Sequence, residues 1–338
     1  MAQRAIEIWR GERIESVAYA DAAVVDSLGQ IHYWLGDPSR ETFWRSSAKP
    51  FQAMPLMESG AVETFGLSPR EIAITCASHG GEDQHVELVE GLLAKIQATP
   101  QDLICGIHPP SHAGTRDQMM AGGVSPSVIH NNCSGKHTGM LALARMLHAP
   151  LAGYQLGDHP VQRTILEHVA MMCGIASPQT LYTGIDGCGV PTFYLSLERM
   201  AYAYARLVDP RGLDVSSQGS AMLISEAIRT YPEVISGTGR LEVTLAEATG
   251  HRLVSKGGAE AVFCLGIPER GWGIAVKMAD GMSRTIGPLV SALLAEIGVL
   301  NEQEIRALAP VINPIIKNHA GREVGFMKPV FRLNRGKL

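Results

Sequence analysis

Residues 45–50 read RSSAKP, and in this stretch Ser46 stands three positions before Lys49 where a buried helix is expected to begin. Positions three apart lie on one face of a helix, so the Lys49 amine can reach the Ser46 hydroxyl. A serine beside its own base is the arrangement of an activated nucleophile in acyl-transfer enzymes. We therefore predict Ser46 and Lys49 as a catalytic pair, although the spacing alone is common by chance.

The flanking sequence supports an apolar segment followed by a helix. Phe43 and Trp44 end the apolar segment, and Pro50 falls in a first helical turn, where proline is tolerated. Apolar residues then recur at helical spacing at Phe51, Met54, Leu56, Met57 and Val62. The positive end of this helix would favour an alkoxide at Ser46.

A lysine base must be neutral, so burial or a second cation must lower its pKa. Lys256 is a candidate for that cation and for a further catalytic role. It lies in SKGG, residues 255–258, before an apolar stretch at 261–265 that is typical of a strand. An exposed lysine in a turn is the alternative, and spacing alone favours it.

Ser78 is a second candidate hydroxyl. Residues 73–81 read AITCASHGG and pass from an apolar segment into small residues, which favours a sharp turn at Ser78 and His79. The alternative is a helix end at Gly80, before Glu82 and Asp83 begin the next helix.

Cys133, Lys136 and Cys188 are candidate metal ligands. Residues 131–139 read NNCSGKHTG and indicate a loop that enters a helix, whereas Cys188 lies in a glycine-rich turn, GIDGCGVP at 184–191. A phosphate-binding loop is excluded at 131–139, since its first glycine is missing and His137 replaces the metal-binding hydroxyl. Two thiolates and an amine would suit zinc, but buried inert cysteines are the commoner case.

Four separated motifs carry a resemblance to a known family. RSSAKP at 45–50, CASH at 76–79, CSGKH at 133–137 and GIDGCG at 184–189 occur in this order. In type and separation they resemble the rhizobial-type (thermolabile, class 3) L-asparaginases. The resemblance implies a serine β-lactamase/glutaminase-like fold, similar also to the penicillin-binding proteins, in which a helical lobe packs against an antiparallel sheet.

The resemblance also implies roles for individual residues. Ser46 and Lys49 would form one catalytic pair, with Ser78 as a neighbouring hydroxyl and Lys256 as the second lysine of the family. Zinc would bind to Cys133, Lys136 and Cys188 and would be accessory to catalysis. From their charge and their adjacency to the motifs, we infer substrate-binding roles for Arg45, His137 and Asp186.

The function expected from the resemblance is hydrolysis of L-asparagine to L-aspartate and ammonia through a serine acyl-enzyme. Neutral Lys49 would take the proton of Ser46 as it attacks the side-chain amide. A serine-dependent glutaminase of the same fold remains open, because one methylene is worth only ~1 to 3 kcal/mol of discrimination. A non-catalytic protein that binds zinc and an amino acid is the alternative from another class.

Composition indicates which partners the protein binds and in which cellular compartment it is found. Charged residues make up 18% of the chain, below the average of about 25%, which fits an oligomer with apolar contact faces; we expect a homodimer. A net charge of -4 without a basic cluster argues against nucleic acid as a binding partner. No apolar run is long enough for a membrane span and no signal peptide is apparent, so we expect a cytoplasmic protein whose six cysteines are thiols or ligands.

Apolar patterning predicts an α/β (α+β) chain, 1–338, that forms a single unit of two lobes. Hairpins are expected within 6–35 and strands at 252–255, 261–265 and 271–276, followed by a helix at 289–297. Helical spacing recurs at 86–96, 161–172, 193–207 and 221–230. Strands from both chain ends would build one antiparallel sheet. The sheet lobe would comprise approximately 1–45 and 250–338, and the mainly helical lobe 46–249.

Overall fold

The computed structural model describes residues 1–336. The strands in this range are β1 (Gln3–Arg10), β2 (Arg13–Asp26), β3 (Ile31–Leu35), β4 (Glu41–Phe43), β5 (Tyr182–Ile185), β6 (Pro191–Ser196), β7 (Val254–Gly258), β8 (Val262–Ile267), β9 (Trp272–Met278), β10 (Ile315–Lys317), β11 (Glu323–Pro329) and β12 (Asn334–Arg335). The α-helices are α1 (Lys49–Glu58), α2 (Ala61–Phe65), α3 (Pro69–Thr75), α4 (Asp83–Lys95), α5 (Ala113–Ala121), α6 (Ser134–Met146), α7 (Pro160–Met172), α8 (Leu197–Val208), α9 (Val215–Thr230), α10 (Pro232–Ser236), α11 (Leu241–Ala248), α12 (Ile286–Glu296) and α13 (Glu302–Ile312). None of the helices in the described residues has the length and apolar character needed to cross a membrane.

The larger sheet is antiparallel and draws its strands from both ends of the chain. Its order is β10-β11-β1-β2-β9-β8-β7, with β3 paired to the second half of β2 and β12 paired to β3. The long strand β2 pairs with β1 and β3 along one edge and with β9 along the other. Because β1 pairs with β11, the first and last parts of the chain share this sheet, which confirms the prediction.

The sheet separates two apolar clusters. Side chains of successive β2 residues point to opposite faces, so Ala23 and Val25 join the helices of the chain's middle part. Ala22 and Val24 join a second cluster that includes residues of α12 and α13. This arrangement confirms the predicted fold class, an antiparallel sheet combined with a mostly helical region.

In a small second sheet, β4-β6-β5, the strands β5 and β6 lie within the part of the chain predicted to be mainly helical. The predicted helix at 193–207 is wrong in its first four residues, because these belong to β6 and α8 begins at Leu197. Aromatic contacts explain the difference, since Phe43, Tyr182 and Tyr194 pack across the three strands. The other predicted helices at 86–96, 161–172, 221–230 and 289–297 correspond to α4, α7, α9 and α12.

Helix α8 packs on the central strands and also supports the site. Glycines 266 and 273 of β8 and β9 face α8, and a Cβ at Gly273 would overlap the carbonyl oxygen of Ala201. This close approach brings Tyr204 of α8 to the turn before α1. Its hydroxyl donates a hydrogen bond of 2.8 Å to the main-chain oxygen of Ser47.

Candidate functional site

A cavity of about 520 Å³ lies beside the end of β7 and the start of α11. Ser46, Ser78 and Lys256 all line it. These residues are far apart in the sequence, and the fold brings them to one concave surface. Both serines are half-buried, whereas Lys256 is 1% exposed.

Ser46 lies in a short 3₁₀ turn, Arg45–Ala48, that continues into α1. Arg45, directly before it, has a φ of 52°, in the left-handed region. For a non-glycine residue this conformation costs roughly 1 to 3 kcal/mol and persists only where its surroundings impose it. Here Asp186 accepts a 2.8 Å hydrogen bond from Arg45 Nε, and Ser47 Oγ donates one of 2.9 Å to Lys256 O. The turn that carries Ser46 is therefore fixed from both sides.

Lys49 is buried in the first turn of α1, and its amine points toward the segment after α3. Nζ donates to Ala77 O at 2.5 Å, to Ser78 Oγ at 2.8 Å and to Cys133 Sγ at 3.2 Å. Among the described residues it forms no hydrogen bond with Ser46. The serine that Lys49 contacts directly is thus Ser78.

Ser78 belongs to an extended connection between α3 and α4. Helix α3 ends at Thr75, well before Gly80, and Glu82 is the N-cap residue of α4. The Ser78 amide donates to Ile235 O at 2.8 Å, and the His79 amide donates to Asn132 O at 3.2 Å. These main-chain bonds hold the Ser78 hydroxyl at the wall of the cavity.

Lys256, in β7, has an environment that favours the neutral form of its amine. Burial lowers its pKa to about 7, and the charge of Lys49 adds to this effect. Nζ donates to Gly257 O at 2.8 Å. The Gly257 amide in turn donates to Glu242 Oε1 at 2.9 Å. Lys256 therefore occupies a buried, ordered position with a pKa suited to a base at neutral pH.

The candidate metal ligands converge in a buried cluster. Cys133 precedes α6, Lys136 lies in its first turn, and Cys188 lies in the turn between β5 and β6. Lys136 Nζ donates to Cys188 Sγ at 3.0 Å. A hydrogen bond from Cys188 lowers the pKa of Cys133 well below its usual value and raises that of Cys188. Burial alone would lower the pKa of Lys136, but the two neighbouring sulfurs raise it above its usual value.

This donor set fits zinc. Two sulfurs and a nitrogen are ligand types that zinc accepts, and three protein ligands leave one coordination position open. In the described residues, no three His, Cys, Asp or Glu side chains lie close enough together to bind a metal ion by themselves. If zinc bound at Cys133 and Cys188, the amine of Lys136 would be the third ligand and would have to lose its proton.

The residues predicted to bind substrate lie outside the cavity wall. Arg45 and Asp186 pair with each other, and although burial opposes the effect, Lys136 and Arg45 lower the pKa of Asp186. His137 is fully buried, its Nδ1 lies 2.6 Å from the Tyr154 hydroxyl, and burial lowers its pKa well below the usual value. None of the three is among the described residues that line the cavity.

The cavity instead presents charged residues that the motifs did not reveal: Arg240, Glu242 and Glu260. The one local signal for Arg240 was the glycine-rich stretch SGTG at 236–239, which precedes it. No spacing connects these positions to the serines, because the fold alone brings them together.

Comparisons with known proteins place the chain in a family. A model of the family described as L-asparaginase II matches residues 6–329. Among solved structures, the chain is similar to a β-lactamase from Mycobacterium bovis, with 14% identity, a TM-score of 0.44, and coverage of 82% of this chain and 94% of that chain. It is also similar to an octameric penicillin-binding protein homologue from Pyrococcus abyssi, with 14% identity, a TM-score of 0.42, and coverage of 87% and 75%. A third structure is the D-alanine carboxypeptidase AmpC from Burkholderia cenocepacia, with 10% identity, a TM-score of 0.36, and coverage of 87% and 92%. Among curated proteins, none matches significantly.

Proposed function

Because the chain belongs to the L-asparaginase II family, a family of amide hydrolases, we propose that it hydrolyses the side-chain amide of L-asparagine. The products are L-aspartate and ammonia, and a serine acyl-enzyme is the intermediate. The observation that supports this mechanism is that two serines and one lysine line one cavity, with a second lysine bonded to one of the serines. Lys49 contacts Ser78 at 2.8 Å, while Ser46 and Lys256 share the cavity wall.

Ser46 is the nucleophile in this proposal. It lines the cavity, and the left-handed Arg45 directly before it stores backbone strain of the kind that occurs at active sites. Its place at the start of a helical segment also favours a developing alkoxide, because the positive end of the helix dipole lies there.

Lys256 is the base that takes the proton from Ser46. The sequence pattern predicted Lys49 for this role, but the Lys49 amine is engaged with Ala77, Ser78 and Cys133. Lys256, with a pKa of about 7, is substantially neutral at physiological pH. Its strand is bound to the Ser46 turn through the hydrogen bond from Ser47, so the two groups come from adjoining segments.

Ser78 and Lys49 deliver a proton to the leaving ammonia. Lys49 Nζ donates to Ser78 Oγ, which leaves the Ser78 hydroxyl proton free to point into the cavity. That proton passes to the amide nitrogen as the carbon–nitrogen bond breaks, and Lys49 can replace it. Water then attacks the ester: Ser78 and the now neutral Lys49 take its proton, while Lys256 returns its proton to Ser46 Oγ as the ester bond breaks, which restores both lysines.

Zinc at Cys133, Lys136 and Cys188 is part of the proposal as an accessory. When bound, the ion supplies positive charge and a fixed anchor near the site. The protein's own contribution is positional: Cys188 and Asp186 share one turn, and Asp186 holds Arg45 beside Ser46. We also propose a cytoplasmic homodimer. The six free thiols suit a reducing compartment, and the low charged fraction suits an apolar contact face.

The test is ammonia release from L-asparagine by the purified protein, with L-glutamine assayed alongside. We expect turnover of L-asparagine and at least a ~100-fold loss of kcat in Ser46→Ala and in Ser78→Ala. Ser59→Ala, at the far end of α1 from Lys49, is the matched control and should retain activity. Rapid quenching followed by mass spectrometry should find the aspartyl group on the Ser46 peptide.

Three outcomes would contradict the proposal. Preference for L-glutamine would make the protein a glutaminase. Full activity of Ser46→Ala with loss of activity on chelation would indicate a zinc-bound hydroxide as nucleophile. Binding of L-asparagine without any ammonia release would leave the non-catalytic alternative.

A further inference from the structure

The charged side chains of the cavity fall into two groups. Lys256 and Glu242 are buried, and both are tied to the main chain of Gly257, one through its oxygen and one through its amide. Arg240 and Glu260 also line the cavity. In the described residues, neither of their charged groups forms a hydrogen bond or a salt bridge. Among the residues that the structure describes, one cation and one anion of the cavity thus have no protein partner.

A free amino acid carries the complementary pair of charges. Its α-carboxylate calls for a cation with forked donors, which arginine provides, and its α-ammonium calls for a carboxylate. An amidohydrolase that accepts the free amino acid must contact both groups, since the side-chain amide alone does not distinguish it from other amides. Arg240 and Glu260 have the required charges on the required surface.

Both residues are exposed, and the backbone places each of them at the cavity. Arg240 is the N-cap residue of α11 and follows Gly237 and Gly239, whose φ angles are 103° and 73°. Glu260 itself has a φ of 58°. Its carboxylate lies over Gly281, where a Cβ would come within 2.7 Å of Glu260 Oε2. Gly281 therefore leaves the space that the Glu260 side chain occupies.

We propose that Arg240 binds the α-carboxylate and Glu260 the α-ammonium of the amino acid substrate, an inference that rests on the proposed amidohydrolase function. Arg45 and Asp186, the residues predicted from the motifs for these roles, already bind each other at 2.8 Å. To bind substrate they would first have to separate. Arg240 and Glu260 need no such step.

Substrates that lack one charged group test the assignment. 3-Aminopropanamide lacks the α-carboxylate of L-asparagine, and succinamic acid lacks its α-amino group. The wild-type protein should strongly prefer L-asparagine to both. Arg240→Leu should raise KM for L-asparagine ~100-fold and remove the preference over 3-aminopropanamide, whereas Glu260→Gln should raise KM ~10-fold and remove the preference over succinamic acid. In both variants kcat should change less than ~3-fold.

Arg163→Leu and Glu247→Gln, which alter exposed charges outside the cavity, are the controls and should behave as wild type. Calorimetric titration with L-aspartate gives a second readout without turnover, and Arg240→Leu should weaken this binding ~100-fold. Ammonia release by the wild type with unchanged KM and unchanged substrate preference in both variants would overturn the inference and leave the proposed function standing. If the wild type releases no ammonia, the proposed function fails, and unaltered L-aspartate binding in Arg240→Leu would overturn the inference as well.

Discussion

The two lysines of the site have different surroundings, and these decide what each can do. Lys49 has three acceptors around one amine, so its protons are fully used. Lys256 has a single main-chain acceptor in a buried position, so its charged form is poorly compensated. A well-compensated ammonium is suited to passing protons through Ser78. A poorly compensated one is suited to act as a base.

The pH dependence of activity follows from Lys256. Its folded-state pKa is lowered to about 7, so the neutral base becomes the main form as pH rises through that value. We expect kcat/KM for L-asparagine to rise about tenfold per pH unit below 7 and to level off above it. Steady-state rates across this range check the prediction. A flat profile through pH 7 would show that Lys256 is not the base.

The buried charge of Lys256 should also lower the stability of the folded protein. The lowered pKa means that holding Lys256 charged in the folded protein costs free energy below pH 10.5, and most at pH 7 and below. Lys256→Met should therefore abolish activity yet raise the free energy of unfolding at pH 7 by roughly 1 to 4 kcal/mol. The gain should shrink toward pH 10. Urea unfolding at both pH values, with the exposed Lys317→Met as control, measures it.

At the scale of elements, the contact between α8 and the sheet depends on glycine. A Cβ at Gly273 would overlap the main chain of α8 at Ala201 and Ala205, neither of which is the end of a flexible side chain. We expect Gly273→Ala to lower the free energy of unfolding by about 3 kcal/mol or more, since helix and strand must separate. Gly219→Ala, at an open position inside α9, should instead raise it by up to ~1 kcal/mol. Equal effects in the two variants would contradict this account.

The hairpin of β5 and β6 connects the proposed zinc ligands to the Ser46 turn. Zinc should raise the melting temperature of the wild-type protein, because an ion at one hundred times its Kd stabilises the folded state by about 2.7 kcal/mol. Cys188→Ser should lose both the bound zinc and this shift. Cys105→Ala, which removes a buried thiol outside the ligand set, should keep both. Metal analysis measures the bound zinc, and thermal unfolding with and without zinc measures the shift in melting temperature.

The sequence predicted helices and strands better than the tertiary contacts between them. Strands β7, β8 and β9 and helices α4, α7, α9 and α12 followed from apolar periodicity, which is local. The strand β6 was missed, because 193–207 keeps helical spacing, while pairing with β4 and β5 and the contacts of Tyr194 with Phe43 and Tyr182 make its first residues a strand. In the site, the motifs named both serines and both lysines. They did not give the Lys49 to Ser78 contact or the charges of Arg240 and Glu260, because side-chain direction and distant loops determine these.

At the scale of the molecule, β2 belongs to both apolar clusters at once. Its alternate residues, Ala23 and Val25 on one face and Ala22 and Val24 on the other, make the sheet a wall shared by the two clusters. Because one face of β2 packs in each cluster, neither lobe can unfold without disturbing the other. The predicted two lobes should therefore be two regions of one folding unit.

Unfolding should accordingly be a single transition for both clusters. All six cysteines lie in the cluster on the α1 face of the sheet, so thiol labelling in urea reports the unfolding of that side. In Trp44→Phe, fluorescence reports the tryptophans of the sheet strands, including Trp272, which packs against the other cluster. We expect coincident midpoints, and Val24→Ala in the second cluster should lower both by the same amount, worth roughly 2 kcal/mol. Separate midpoints, or a shift of fluorescence alone, would mean that the two sides fold independently.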